Sequence, residues 1–185
     1  HRRSTPAYAQ TPGRRAYARM ALALLNWGST RILSNSEAAL DTFHGAGWRS
    51  SKKFAVIPNG VDAERFRPRP ADRPAIREQL GFAETHFVVG HVGRVDPAKD
   101  HETRFRIVQT LHAEDPNVRL LMVGTGTDTP AMQARLAAHG IADITQALGV
   151  RDDVEMLYQA MDVFVFPSVT EGQPNALIEA MLSGV

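Results

Sequence analysis

From residue 87 onward the sequence alternates between two hydrophobic periods, and this restricts the fold more than anything else in it. Phe87-Val-Val-Gly-His-Val92 and Val118-Arg-Leu-Leu-Met-Val123 are short apolar runs of strand length. Between them, residues 101–113 carry Phe105, Val108 and Leu111 at helical spacing. Thr129 and Pro130 then open a helix to about His139, since a hydroxyl caps the first turn and proline suits its start. Ile144 to Leu148 reads as a weaker strand, residues 153–160 as a short helix, and Asp162-Val-Phe-Val-Phe166 as a further strand. Strands alternating with helices imply a parallel sheet covered on both faces.

The first part of the chain is patterned differently. Residues 14–27 form an amphipathic helix with Tyr17, Met20, Ala21, Leu24 and Trp27 on one face. Arg31-Ile-Leu-Ser34 and Phe54-Ala-Val-Ile57 read as strands, with a helix between them that Asn35 or Ser36 can cap and that Gly45 and Gly47 end. Residues 63–75, rich in proline and arginine, separate the two patterns. The expected division is therefore 1–62, a linker at 63–75, and a second domain at 76–185. At the end of the chain Ser183-Gly184 reads as a helix terminus, and Val185 would begin another strand. The pattern is expected to be incomplete at both ends, as in a fragment of a longer protein.

In an open parallel sheet, ligands bind beyond the carboxyl ends of the strands. The unusual residues of this sequence fall there. Gly93-Arg94 follows one strand, Gly124 the next, Gly149-Val150 the third, and Ser168 to Glu171 the fourth. Glycine admits close approach of a ligand to the backbone. Arg94 and Lys99 offer a fork and a point charge to phosphate oxygens. Glu171 and Glu179 flank a turn in which Pro174 opens a helix, so the N–H groups of Asn175, Ala176 and Leu177 lack helical acceptors and can face an anion. Carboxylates accept hydrogen bonds from hydroxyl groups. Such a turn suits a ligand with both hydroxyls and phosphate.

The stretch Ser168-Val-Thr-Glu-Gly-Gln-Pro-Asn-Ala-Leu-Ile-Glu-Ala-Met181 resembles the E-x7-E signature of retaining family-4 glycosyltransferases, which have the two-domain GT-B fold. Val56-Ile-Pro-Asn-Gly-Val-Asp62, Gly93-Arg94 with Lys99, and Val123-Gly124-Thr-Gly126 agree with the same family in identity and order. The resemblance covers roughly residues 30–185 and implies a GT-B-type α/β fold with a Rossmann-like sheet. It makes residues 1–62 the end of the acceptor-side domain and residues 76–185 a truncated donor-binding domain. It implies transfer of a sugar, of hexosyl type, from a nucleoside-diphosphate sugar to a glycan or lipid-linked acceptor with retention of configuration.

By the same resemblance Arg94 and Lys99 act on the diphosphate and Glu171 on the transferred sugar. Glu179 takes the two ribose hydroxyls, and Gly149-Val150 lies beside the base. No protein nucleophile, metal or cofactor is then needed, because the donor carries its own leaving group. By itself a 185-residue piece of such an enzyme is expected to be inactive. A non-catalytic nucleotide-binding module of the same fold is the alternative. A nicotinamide fingerprint fails, because Thr129 stands where its third glycine belongs.

Composition narrows the partners. Net charge is +1, so nothing global points to nucleic acid. The first twenty residues hold Arg2, Arg3, Arg14, Arg15 and Arg19 with no acid, a pattern that can sit on anionic lipid but more commonly makes a solvated helix face. Cysteine is absent, which excludes disulfides and thiolate chemistry. No apolar run approaches the roughly 18 residues of a membrane span, and no signal peptide is evident. The expected location is the cytoplasm, with contact at the inner membrane face as an option. No histidine pair has metal-ligand spacing, and His91 reads as a structural strand residue.

Overall fold

The computed structural model describes residues 12–185; Arg2 and Arg3 of the basic segment lie outside the described residues. The chain divides into two compact units. One comprises the chain up to Gly60 together with Thr170–Gln173, and the other comprises Val61–Val169 and Pro174–Val185.

In the first unit, helix α1 (Pro12–Gly28) precedes strand β1 (Ile32–Ser34), helix α2 (Glu37–His44), a 3₁₀ turn at Ala46–Ser50 and strand β2 (Phe54–Val56). β1 and β2 pair in parallel, with Leu33 opposite Ala55. Ser36, rather than Asn35, caps α2 by accepting from the Ala39 N–H at 3.2 Å. The apolar face of α1 is uncovered: Tyr17, Met20, Leu24 and Trp27 are all exposed, Trp27 at 88%. No helix of the described residues is long and apolar enough to cross a membrane.

The second unit starts with helix α3 (Arg73–Gln79) and continues through strand β3 (Phe87–Val92), helix α4 (His101–Glu114) and strand β4 (Val118–Val123). Helix α5 (Pro130–Ala138), strand β5 (Thr145–Ala147), helix α6 (Val154–Gln159), strand β6 (Val163–Phe164) and helix α7 (Asn175–Leu182) follow. Its strands form a parallel sheet in the order β5-β4-β3-β6. β3 and β4 run in full register from Phe87 opposite Val118 to Val92 opposite Val123. Alternate residues of these strands feed two cores, because successive side chains of a strand point to opposite faces. Val89, Leu120 and Met122 pack with Phe105, Val108, Met132 and Leu136 of α4 and α5. Val88, Leu121 and Val123 pack with Ile76, Leu157, Tyr158 and Ala180 of α3, α6 and α7. The expected sheet with helices on both faces is thus present.

Residues 63–75, expected as the linker, fold onto the second unit. The Asp62 carboxylate accepts from the N–H groups of Glu64 and Arg65, starting a turn that buries Phe66 beside Tyr158. Arg65 reaches Glu155 at 2.8 Å, and the Arg69 N–H donates to the Gln159 side chain at 2.7 Å. Arg73 and the buried Arg77 both pair with Asp162, which also accepts from the Val88 N–H at 2.7 Å. Three donors on one carboxylate tie α3 to the edge of the sheet beside β6.

Candidate functional site

The strand order reverses around β3, whose neighbours are β4 on one side and β6 on the other. Such a reversal opens a crevice at the carboxyl ends, where loops diverge in opposite directions. The loop after β3 carries Gly93, Arg94 and Lys99, the loop after β4 carries Gly124, and the loop after β5 carries Gly149 and Val150.

Ladder pairing continues beyond the strands. The Gly93 N–H donates to the Val123 carbonyl and the Val95 N–H to the Thr125 carbonyl, each at 2.8 Å. Arg94 is therefore held between two fixed peptides. Gly124, at φ 130°, packs against this segment so closely that a β-carbon would lie 2.4 Å from the Gly93 oxygen. The Gly124 N–H donates to the Gly149 carbonyl at 2.6 Å. The Thr127 hydroxyl donates to the Gly124 carbonyl at 3.0 Å and accepts from the Gly149 N–H at 2.9 Å. Buried Thr127 thus joins the turns after β4 and β5. Val150 follows on the surface, 69% exposed.

Lys99 is placed by two acidic caps. Asp96 accepts from the Ala98 N–H at 2.8 Å and starts the 3₁₀ turn Pro97–Lys99. Asp100 starts α4 from the left-handed region, φ 44°, which a short polar side chain tolerates. Its carboxylate takes the Thr103 N–H and hydroxyl, and the hydroxyl holds its pKa below the usual carboxylate range. The Ala98 carbonyl accepts from the Val169 N–H at 2.9 Å, joining this turn to the segment after β6. Lys99 is half-buried, with its ammonium 5.1 Å from the centre of the Phe166 ring. Arg94 is 73% exposed at its side chain and lies 3.3 Å from Asp96. A pair so exposed is weak, so the guanidinium can turn to a stronger anion.

Beneath them lies a group of buried imidazoles. The His91 ring stacks on Phe164, sits edge-on to His101, and has its Nε2 3.0 Å from where a β-carbon of residue 93 would stand. Desolvation pushes His91 down to about 2, and Arg104 adds to the effect. His101 is pushed down to about 4, again by desolvation and then by Arg104. Both rings are neutral at neutral pH.

Pro174 is the N-cap of α7 rather than its first helical residue. The Leu177 N–H turns back to the Pro174 carbonyl at 3.2 Å, so an anion would compete for it; Asn175 is exposed and Ala176 half-buried. Glu179 is half-buried and meets the buried Tyr158, whose hydroxyl lies 3.0 Å from its Oε2 and 3.0 Å from the Ala176 carbonyl. Burial and the Glu179 charge push the Tyr158 pKa up, so the phenol stays a donor. Sequence reasoning named Glu179 but missed Tyr158 and Thr127.

Glu171 belongs with the first unit, whose Thr170–Gln173 segment is fixed there. The Gln173 side chain accepts from the Asn59 N–H at 2.5 Å and donates to the Asn59 carbonyl at 3.2 Å. A β-carbon on Gly172 would meet Asn35 Oδ1 at 2.7 Å. The half-buried Glu171 is thus held between two residues anchored at the Asn35 and Asn59 loops. Among the described residues no group of three or more His, Asp or Glu could hold a metal ion.

The family model described as glycosyl transferases group 1 matches residues 86–185. The chain belongs to this family. Among curated relatives, a D-inositol 3-phosphate glycosyltransferase of Geodermatophilus obscurus is 37% identical over 145 residues, which is 72% of this chain and 32% of that protein. Another, from Segniliparus rotundus, is 31% identical over 170 residues, 84% of this chain and 36% of that one. Among solved structures, Anabaena HepE in complex with UDP and glucose aligns with a TM-score of 0.76 and 29% identity, over 94% of this chain and 48% of HepE. WaaG, a glycosyltransferase involved in lipopolysaccharide biosynthesis, aligns with a TM-score of 0.79 at 22% identity, over 96% of this chain and 49% of WaaG. The fold is of GT-B type. The chain spans 36% to 41% of the length of the first curated relatives it matches.

Proposed function

We propose that the full-length protein transfers a sugar from a nucleoside-diphosphate sugar to an acceptor hydroxyl with retention of configuration. The observation that carries this reading is the cationic rim at the sheet reversal, where Gly93-Arg94 and Lys99 are fixed by backbone bonds and caps. Their charges face a diphosphate, which gains negative charge as the glycosidic bond breaks. Preorganised cations at that point stabilise the departing group without reorganising.

Glu179, oriented by the Tyr158 hydroxyl, accepts the ribose hydroxyls. The N–H groups at the start of α7 face phosphate, Gly149 and Val150 lie beside the base, and Glu171 holds hydroxyls of the transferred sugar. The acceptor attacks the face from which the diphosphate leaves, and a phosphate oxygen of the leaving group takes its proton. The two carboxylates therefore are not the acid and nucleophile of a glycosidase. HepE binds UDP and glucose, which supports a uridine nucleotide as the first donor to try. A glycan or lipid-linked acceptor, of a hexosyl-type transfer at the cytoplasmic membrane face, completes the reading.

A screen of nucleoside-diphosphate sugars with the full-length protein, read by release of the nucleoside diphosphate, tests it. The expected result is one preferred donor whose turnover rises with acceptor. Failure of every donor to bind or turn over would refute the proposal.

A further inference from the structure

Arg104 is fully buried, and no function assigned so far uses it. Its Nη1 donates to His101 Nδ1 at 2.6 Å and its Nη2 to the Lys99 carbonyl at 3.3 Å, while its Nε finds no partner. Among the described residues no carboxylate hydrogen-bonds to it. Asp100 attracts it through space, but that carboxylate already serves Thr103. Burial pushes Arg104 down to about 9, which leaves it a cation at neutral pH. A buried cation without a carboxylate partner is costly. This one stands one hydrogen bond from the backbone of Lys99. Through His101, whose ring lies beside the Arg94 carbonyl, it also reaches the peptide of Arg94.

We propose that Arg104 is a positioning residue of the diphosphate site, whose buried charge fixes Lys99 and His101 and is balanced when an anionic diphosphate occupies the rim above. Arginine has no acceptor, so the Arg104 bond makes His101 Nδ1 the acceptor and leaves the proton on Nε2. Nε2–H is buried without a partner of good geometry, as is the Nε2 lone pair of His91, whose Nδ1 lies 3.3 Å from the Val165 carbonyl. The floor of the crevice is thus one cation and two neutral imidazoles with unspent polar atoms. A bound diphosphate brings negative charge next to this floor, and the favourable field acts through a low dielectric. The inference rests on the reading of Arg94 and Lys99 as diphosphate cations.

Binding of UDP, uridine and inorganic pyrophosphate to the full-length protein, wild type and Arg104→Met, Arg104→Gln and Arg104→Lys, tests it by calorimetry. Met and Gln are expected to weaken UDP and pyrophosphate about tenfold, with uridine within about twofold of wild type. Lys is expected to recover most of the loss. Gln keeps a donor without charge, so the Gln and Lys pair separates charge from hydrogen bonding even if Met fails to fold. Unchanged UDP and pyrophosphate binding in Gln, or an equal loss for uridine, would overturn the proposal. Wild type that binds pyrophosphate but not UDP would sink the nucleotide reading while the Arg104 comparison proceeds on pyrophosphate. Wild type that binds neither would overturn both.

Discussion

Replacing Gly124 by alanine should damage the site more than its size suggests. The added β-carbon would stand 2.4 Å from the Gly93 oxygen and 2.6 Å from its carbonyl carbon. Ordinary contact begins near 3.4 Å, so one partner must retreat by 3.4 − 2.4, about 1 Å. Neither atom can rotate away, because both are backbone and the ladder bonds to Val123 and Thr125 hold them. The φ of 130° adds strain of about 1–3 kcal/mol for a residue with a side chain. Overpacking adds about 1–3 kcal/mol more. At about 2–4 °C per kcal/mol, thermal unfolding should shift by roughly 5–20 °C. The displaced peptide carries Arg94, and a 1 Å misplacement at a reacting centre can cost about a hundredfold in rate. Gly140→Ala is the control, since that glycine has φ 66° but open space around its β-position. Thermal unfolding and nucleoside-diphosphate release should be measured on both variants of the full-length protein. Equal losses in the two would refute the argument that the bare α-carbon of residue 124 positions Arg94.

Other consequences are more direct. Glu179→Ala should weaken UDP binding at least about tenfold, roughly 1.4 kcal/mol, and Tyr158→Phe by a few fold, through loss of the donor that orients the carboxylate; unchanged calorimetric affinity would remove Glu179 from the ribose role. Asp162→Ala strands the buried Arg77 and should cost about 3–5 kcal/mol in denaturant unfolding while folded protein keeps its UDP affinity. Chelator should leave wild-type turnover intact, and loss of rate restored by magnesium would contradict the metal-free assignment. His91 and His101 have folded pKa values depressed to about 2 and about 4, so their neutral burial stabilises the fold above the unfolded value near 6.5. That stability is lost on acidification, by about 2 kcal/mol for each at pH 5. Melting temperature against pH should show this slope, and His91→Gln with His101→Gln should flatten it.

What could be read from the sequence was what local pattern controls. The strands at 87–92 and 118–123 were legible because apolar runs between turn signals leave one reading, and Thr129-Pro130 announced its helix through capping chemistry alone. The glycines after the strands were legible as points of close approach. Pro174 was misplaced by one position, since proline suits either the cap or the first turn and only the backbone angles decide. The exposed face of α1 was not legible, because periodicity says which residues share a face and nothing about what meets it.

Other residues of the candidate site were hidden for a different reason. Tyr158 meets Glu179 across 21 residues, and Thr127 meets Gly149 across 22. Each sits in a helix or turn where its own pattern offers a sufficient account, tyrosine as core and threonine as loop. Arg104 is the sharper case. It stands at an interior position of α4, one before Phe105, where an apolar residue would satisfy the packing. A cation there contradicts the burial pattern, and that contradiction was the available signal. Local rules fail where the fold spends stability on something other than packing. Here the failure falls at the fourth residue of the helix that Asp100 caps, one hydrogen bond from the backbone of Lys99. Arg104 lies four residues before Val108, a spacing that shares the buried face of α4, so a charge at that position was the one signal the sequence held.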